Sequence, residues 1–191
     1  MLTVLIIDES RTRAGEICAG LALAGYQVAA ILADAENLSA EVEKLQPDVI
    51  LIDTDSPSRD TLENLAVINQ AMPRPVVIFT QEDDSAAIRD AVRAGVSAYV
   101  VDGLDPKRIK PIVEVARARF EDTQALRKEL DDVSKKLSER KLVDKAKGIL
   151  MKARGLDEEA AYRAMRKLAM ERGQTLAKVA TDLIDMARLL L

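Results

Sequence analysis

Five short apolar runs alternate with five helical patterns over the first 120 residues. The runs are rich in Val and Ile and almost continuously apolar, as strands buried on both faces of a parallel sheet are. Gly25, Pro47 and Gly95 mark joins between them. This alternation predicts a doubly wound α/β domain with five parallel strands. The predicted strands are Thr3–Ile7, Gln27–Ile31, Asp48–Ile52, Pro75–Phe79 and Ala98–Val101. The predicted helices are Arg11–Leu23, Ala35–Leu45, Thr61–Ala71, Ser85–Ala94 and Pro106–Phe120.

Polar residues collect directly after three of the predicted strands. Asp8 and Glu9 follow the first, Asp53 and Asp55 the third, and Thr80 the fourth. The carboxyl ends of parallel strands meet at one edge of the sheet, where doubly wound domains place their sites. Carboxylates gathered there favour a hard divalent cation, so the sequence predicts a weak Mg²⁺ site at Asp8, Glu9 and Asp53. Acidic residues that merely solubilise loops are the alternative.

This arrangement resembles the receiver domain of two-component response regulators over about 120 residues. The resemblance implies that Asp8 and Glu9 are the acidic pair and that Asp53 is the phosphoacceptor. It also implies that Thr80 is the switch hydroxyl and Tyr99 the switch aromatic residue.

The segment after the fifth predicted strand departs from the receiver pattern. Asp102 stands where receivers carry a lysine that binds the phosphate. A carboxylate there repels a phosphoryl group, and Asp55 adds further negative charge beside Asp53. The sequence therefore predicts that phosphorylation is weak or is not the physiological signal, and that the domain is a regulatory docking surface.

The spacing of Asp53 and Asp55 also resembles the nucleophile motif of haloacid-dehalogenase-type phosphatases. That family begins its fold with this strand, whereas two βα units precede it here. No suitable lysine follows the fifth strand, and no segment remains for a cap domain. We therefore expect no enzymatic activity.

Composition narrows the chemistry further. The chain has no His and a single cysteine, Cys18. Catalysis by Ser-His-Asp or Cys-His groups is thereby excluded, as is a disulfide within the chain. No apolar run is long enough to span a membrane. We expect a cytoplasmic protein.

The net charge of −4 is an average over two unlike halves. Residues 1–120 contain 12 basic and 19 acidic residues, whereas residues 121–191 contain 16 and 13. Between 140 and 178 there are 11 basic and 5 acidic residues. Such a segment either binds a polyanion or is a solvated helical surface.

A heptad seam precedes the basic segment. Its residues follow one another at spacings of 3, 4, 3, 4 and 3, namely Thr123, Leu126, Leu130, Val133, Leu137 and Arg140. This seam predicts a parallel homodimer through residues 123–140, with packing on the chain's own domain as the alternative. The predicted domains are a receiver-like domain at 1–120, a coiled-coil linker helix at 121–141 and a small three-helix bundle at 142–191.

Basic residues lie off the apolar stripes of the last three helical patterns. Tyr162 lies beside them, and its ring is suited to stacking on an unpaired base or to half-buried packing. Such a face fits a structured RNA, although charge alone also allows DNA. The predicted RNA-binding residues are Lys145, Lys147, Lys152, Tyr162, Arg163, Arg166 and Lys167.

Three runs in this segment closely resemble the ANTAR domain, the RNA-binding module of antitermination regulators. They are Val143–Met151, Gly155–Tyr162 and Met165–Met170. The run Tyr99–Leu104 further resembles the nitrate-assimilation antiterminators of the NasT type.

These resemblances imply a mechanism. Members of this group bind paired hairpins in the leader mRNA of a nitrate or nitrite assimilation operon, and polymerase then reads through a terminator. A nitrate-sensing partner protein holds the regulator inactive until nitrate binds. A phosphorylation-activated response regulator with the same RNA output is the first alternative, and a DNA-binding regulator is the second.

Overall fold

The computed structural model describes residues 1–8, 11–101 and 105–190. Its first part is a five-stranded parallel sheet in the order β2-β1-β3-β4-β5, with helices between the strands. The strands are β1 (Thr3–Asp8), β2 (Gln27–Leu32), β3 (Val49–Asp53), β4 (Val76–Thr80) and β5 (Ala98–Val101). The intervening helices are α1 (Arg11–Leu23), α2 (Leu38–Leu45), α3 (Arg59–Ala71) and α4 (Ser85–Arg93). The predicted fold class is confirmed.

The sheet is buried between two hydrophobic clusters because successive strand residues point to opposite faces. Leu5 and Ile50 face a cluster that includes side chains of α2, α3 and α4. Ile6 and Leu51 face the other cluster, which includes side chains of α1 and of the helix after β5. The apolar runs of β1, β3 and β4 thus correspond to strands covered on both sides, whereas the edge strands β2 and β5 are only partly buried.

Two helices begin at different residues from those predicted, for local reasons. In α2, the Asp34 carboxylate accepts a hydrogen bond from the Glu36 backbone N–H at 3.0 Å, and the helix begins only at Leu38. In α3, the Ser58 hydroxyl accepts from the Thr61 backbone N–H at 3.1 Å, so the helix begins earlier, at Arg59. The Ser58 bond caps α3, because it satisfies a backbone group that the first helical turn leaves unpaired, whereas the N-cap residue of α2, Asn37, makes no side-chain cap bond.

A single helix, α5 (Pro106–Arg154), follows β5. Its sequence has no glycine or proline between Pro111 and Gly148, so nothing interrupts the helical hydrogen-bond ladder there. Gly155, with a φ of 63°, follows its end in the left-handed conformation that glycine accommodates. Two shorter helices complete the chain, α6 (Glu158–Arg172) and α7 (Leu176–Leu190).

The chain divides into two compact units, Met1–Gln124 and Ala125–Leu191. The second unit has its own core, in which Ala146 of α5 packs with Met165 and Ala169 of α6 and with Val179 and Ile184 of α7. The predicted borders at residues 120 and 141 stay predictions, because α5 continues through both. Within the described ranges, no helix combines the length and apolar character required to cross a bilayer.

Candidate functional site

The carboxyl edge of the sheet brings together three of the predicted pocket residues. Asp8 ends β1 and Asp53 ends β3, and the two residues are partners in the strand register. Thr80 ends β4, the next strand, and all three residues are buried. Two other predicted members, Glu9 and Asp102, lie outside the described residues.

The residues present fit part of a magnesium site. Asp8 and Asp53 offer hard carboxylate oxygens from adjacent strand ends. Across residues 1–8, 11–101 and 105–190, no group of three or more His, Cys, Asp or Glu residues is placed to hold a metal ion. The predicted third ligand, Glu9, belongs to the part of the chain that is not described. The described residues therefore provide two of the three predicted ligands.

The cavity beside Asp53 is strongly acidic. It has a volume of about 190 Å³ and reaches from Asp53 toward the start of α3. Its lining includes four carboxylate residues, Asp34, Glu36, Asp53 and Asp60. These carboxylates add negative potential beside Asp53.

The Thr80 hydroxyl already takes part in two hydrogen bonds with the backbone. It donates a hydrogen bond to the Asp55 backbone carbonyl at 2.8 Å and accepts one from the Glu82 backbone N–H at 3.1 Å. Thr80 is also almost fully buried. A phosphoryl group on Asp53 would obtain this hydroxyl proton only if the bond to Asp55 broke.

Tyr99 is bound to the same loop. Its phenol donates to the Glu82 backbone carbonyl at 3.0 Å. Partial burial raises the pKa of the Tyr99 phenol, so the group remains a hydrogen-bond donor at neutral pH. Thr80 and Tyr99 thus fix the start and middle of the segment between β4 and α4.

The second candidate site lies on the helices of the C-terminal unit. The Asp157 carboxylate caps α6 by accepting a hydrogen bond from the Ala160 backbone N–H at 2.7 Å. Buried Met165 and Ala169 anchor one face of α6 in the core. The opposite side of the helix therefore displays its basic residues to solvent.

Lys147 differs from the other predicted RNA-binding residues. Its ammonium lies 2.7 Å from a Glu158 carboxylate oxygen and 2.9 Å from one of Asp144, and its side chain is only 15% exposed. The hydrogen bonds that Lys147 donates to Glu158 and Asp144 raise the pKa of Lys147. The hydrogen bond from Lys147 lowers the pKa of Asp144. Lys147 lies on α5 and Glu158 lies in the first turn of α6, so their ion pair connects the two helices.

Two other basic residues make weaker ion pairs. Arg163 lies 3.5 Å from Glu159, and Lys167 lies 3.8 Å from Glu171, in both cases between exposed groups one helical turn apart. Exposed pairs of this kind contribute little to stability, so both cations stay available to a stronger anion.

Three of the predicted RNA-binding residues form no ion pair in the described part of the chain. Lys145, Lys152 and Arg166 are exposed and take part in no ion pair within the described ranges. Lys141 shares these properties, although it was not among the predicted residues. Its spacing of four residues from Lys145 on the same helix was the available signal. Tyr162 is 41% exposed, which suits either stacking on a base or partial packing.

The heptad seam lies open to solvent within this chain. Leu126, Leu130, Val133 and Leu137 are each more than half exposed, at 62%, 69%, 58% and 53%. A stripe of large apolar side chains at heptad spacing is typical of a helix that packs against another helix.

Comparison with known families assigns both units. The response regulator receiver domain family matches residues 4–114. The chain belongs to this family of response regulators. The ANTAR domain family matches residues 131–184. The chain is therefore a response regulator that also contains an ANTAR domain, and the resemblance predicted from the sequence is confirmed.

Two curated relatives illustrate the match. Transcriptional regulatory protein PdtaR of Mycobacterium tuberculosis is 28% identical over 182 residues, which cover 95% of this chain and 89% of the relative. A nitrate regulatory protein of Klebsiella oxytoca is 35% identical over 80 residues, which cover 42% of this chain and 20% of that protein.

Solved structures support the fold of the first unit. A chemotaxis protein of Vibrio cholerae superposes with a TM-score of 0.53 at 22% identity, covering 60% of this chain and 97% of that structure. The receiver domain of a diguanylate cyclase from Desulfovibrio desulfuricans has a TM-score of 0.56 at 22% identity, covering 63% and 98%.

Proposed function

We propose that this protein is an RNA-binding transcription antiterminator and not an enzyme. It binds hairpins in the leader mRNA of a nitrate or nitrite assimilation operon and allows polymerase to read through a terminator. The observation that carries the proposal is an ANTAR domain whose surface presents Lys145, Lys152 and Arg166 without ion-pair partners in the described chain. Uncommitted cations of this kind neutralise nucleic-acid phosphates and release their counterions. The nitrate regulatory protein among the relatives supports the choice of operon.

Control by a nitrate-sensing partner protein, and not by phosphorylation, is the second part of the proposal. Asp102 replaces the expected lysine, the cavity beside Asp53 is acidic, and the Thr80 hydroxyl is bonded to the Asp55 carbonyl. Each feature disfavours a phosphoryl group at Asp53. Weak Mg²⁺ binding at Asp8, Glu9 and Asp53 would offset the repulsion between these carboxylates.

Dimerisation through residues 123–140 completes the proposal. Burying the exposed leucines of the seam against a second copy supplies the hydrophobic driving force. A dimer carries two ANTAR domains, so a leader with two hairpins is bound twice. The second contact then forms at a high effective concentration, which raises the overall affinity.

A gel-shift experiment tests the function directly. The full-length protein is mixed with the transcribed leader of a nitrate-assimilation operon, and duplex DNA of the same sequence is the matched control. We expect a shift with RNA alone, its loss when the candidate sensor is added, and its return with nitrate. A shift with the duplex but not with the leader would replace this function with DNA binding.

A phosphorylation-activated regulator with the same output is the alternative, because the resemblance to receivers gives Asp53, Thr80 and Tyr99 receiver roles and they lie in β3, β4 and β5. A small phosphodonor distinguishes the two. Partner control predicts that leader affinity is the same with and without the donor. Stoichiometric phosphorylation of Asp53 together with a rise in affinity would establish the alternative, and the variant Asp53→Asn is the control.

A further inference from the structure

Gly148 lies inside α5, six residues before the helix ends. Glycine destabilises a helix interior relative to alanine, because it loses more backbone entropy on folding. Gly148 does not end the helix, since helical residues continue to Arg154. A glycine here therefore needs another reason.

Packing within the chain does not supply that reason. A Cβ atom added at Gly148 would meet no atom within 4 Å. The position is partly exposed, and an alanine would fit without displacing any neighbour in the described structure. The space above Gly148 is therefore left open by the fold, and a small residue is useful there only for something that approaches from outside.

Lysines surround this opening on one face of the helix. At 3.6 residues per turn, Lys141, Lys145, Gly148 and Lys152 fall within an arc of about 60°. All three lysines are exposed and belong to no ion pair among the described residues. The nearby carboxylate of Asp144 is held by Lys147 at 2.9 Å and lies 4.0 Å from Arg140. The opening is thus bordered by uncompensated positive charge.

A second copy of the helix is the competing occupant, because the apolar seam of the coiled coil precedes this face. The large apolar residues of that seam end at Leu137. Beyond it, a second α5 helix would set lysines against lysines around Gly148, which is unfavourable. A polyanion is attracted by the same charges. The observations therefore favour nucleic-acid phosphate over a protein helix.

We propose that Gly148 is the point at which the phosphate backbone of an RNA hairpin contacts the backbone of α5, between Lys145 and Lys152. This inference rests on the proposed RNA-binding function and specifies where the RNA lies. The missing side chain allows the closest approach, and the two lysines pair with phosphates on either side. A methyl group at position 148 would hold the strand away from both lysines.

The test is Gly148→Ala in the full-length protein, with Gly15→Ala as the matched control. Gly15 also lies inside a helix, α1, and is exposed, and an added Cβ there meets nothing within 4 Å. Both substitutions are expected to raise the melting temperature. Only Gly148→Ala is expected to weaken binding of the transcribed leader RNA, by about tenfold or more. A stabilising substitution that lowers affinity is a result that a purely structural role does not produce.

Three outcomes separate the explanations. Unchanged affinity in Gly148→Ala, with weakened binding in Lys145→Ala, overturns this inference and leaves the proposed function standing. Loss of the dimer in Gly148→Ala, measured by sedimentation, also overturns it and assigns Gly148 to a contact between copies. If the unmodified protein does not bind leader RNA at all, the proposed function fails and the inference fails with it.

Discussion

Lys145 and Lys147 are two residues apart and carry the same charge, yet the structure predicts opposite consequences for their removal. Lys145 is exposed and has no ion-pair partner among the described residues. Lys147 is enclosed between Asp144 and Glu158. Changing each to alanine therefore separates a cation that is available to RNA from one that holds two helices together.

The expected change in the salt dependence of RNA affinity follows from counterion release. Each phosphate that a cation neutralises contributes about 0.9 to the slope of log affinity against log salt on a duplex stem, and about 0.7 on a single strand. Between about 50 and 200 mM salt, a slope of 0.9 corresponds to a change of about 3.5-fold in affinity. Lys145→Ala is expected to reduce the slope by about 0.9 if it contacts a duplex stem, and to leave the melting temperature unchanged. Lys147→Ala is expected to leave the slope unchanged and to lower the melting temperature of the C-terminal unit.

Fluorescence anisotropy with labelled leader RNA, titrated at four or more salt concentrations, gives the slope for each variant. Thermal unfolding followed by circular dichroism gives the stability. Lys147→Met is a useful companion, because it keeps the length of the side chain and removes only the charge. An equal loss of slope in Lys145→Ala and Lys147→Ala, without a change in stability, would refute the distinction drawn from the ion pairs.

Three further predictions concern the C-terminal core, the helix seam and the hydrogen bonds between Thr3 and Asp48. Met165→Ala removes a buried side chain from the C-terminal core and is expected to destabilise that unit by about 2–5 kcal/mol in calorimetry; a transition of the N-terminal unit that moved equally would contradict it. Leu130→Glu places charge on the exposed seam and is expected to give monomers in sedimentation with unchanged thermal stability, whereas persistent dimers would exclude this seam. The backbone N–H and the hydroxyl of Thr3 both donate hydrogen bonds to the Asp48 carboxylate, at 2.7 and 2.8 Å. The backbone bond is the main reason that the pKa of Asp48 lies below its ordinary value of 3.8. Because Asp48 is exposed, Asp48→Asn is expected to cost only about 1 kcal/mol at neutral pH. The difference in unfolding free energy between the two proteins, measured by urea unfolding, should disappear as the pH falls below 3.8 and through the lower native pKa of Asp48. A difference that stayed constant with pH would show that the charge of Asp48 is not involved.

Much of the fold was predictable because its strands consist almost entirely of apolar residues, which mark them in the sequence. Strands β3 and β4 are apolar except for their last residues, Asp53 and Thr80, and in the structure every residue of both strands is buried. The placement of Asp53 and Thr80 followed from the same pattern, since the strand ends of a parallel sheet share one edge. Helix starts were less predictable, because they depend on single hydrogen bonds that Ser58 and Asp34 accept from nearby backbone N–H groups.

The details of both sites could not be obtained from sequence. Lys147 looked equivalent to its basic neighbours, and only the docking of α6 brings Glu158, 11 residues away, within 2.7 Å of its ammonium. The bond from Thr80 to the Asp55 carbonyl likewise joins residues 25 positions apart. Helical periodicity reports which face of one element is apolar, but contacts of this kind depend on how two elements meet.

The engaged hydroxyl of Thr80 has a consequence for the duration of a signal. A receiver that stores its state as an aspartyl phosphate retains it until that bond is hydrolysed, whatever the concentration of its partners. A regulator whose switch residue stays bonded to its own backbone has no such memory. In the proposed scheme its output follows the free concentration of the sensor by mass action, and the time taken to reset is the dissociation time of one protein from another. Such a regulator would respond to nitrate within the lifetime of that complex and would need no phosphatase to be turned off.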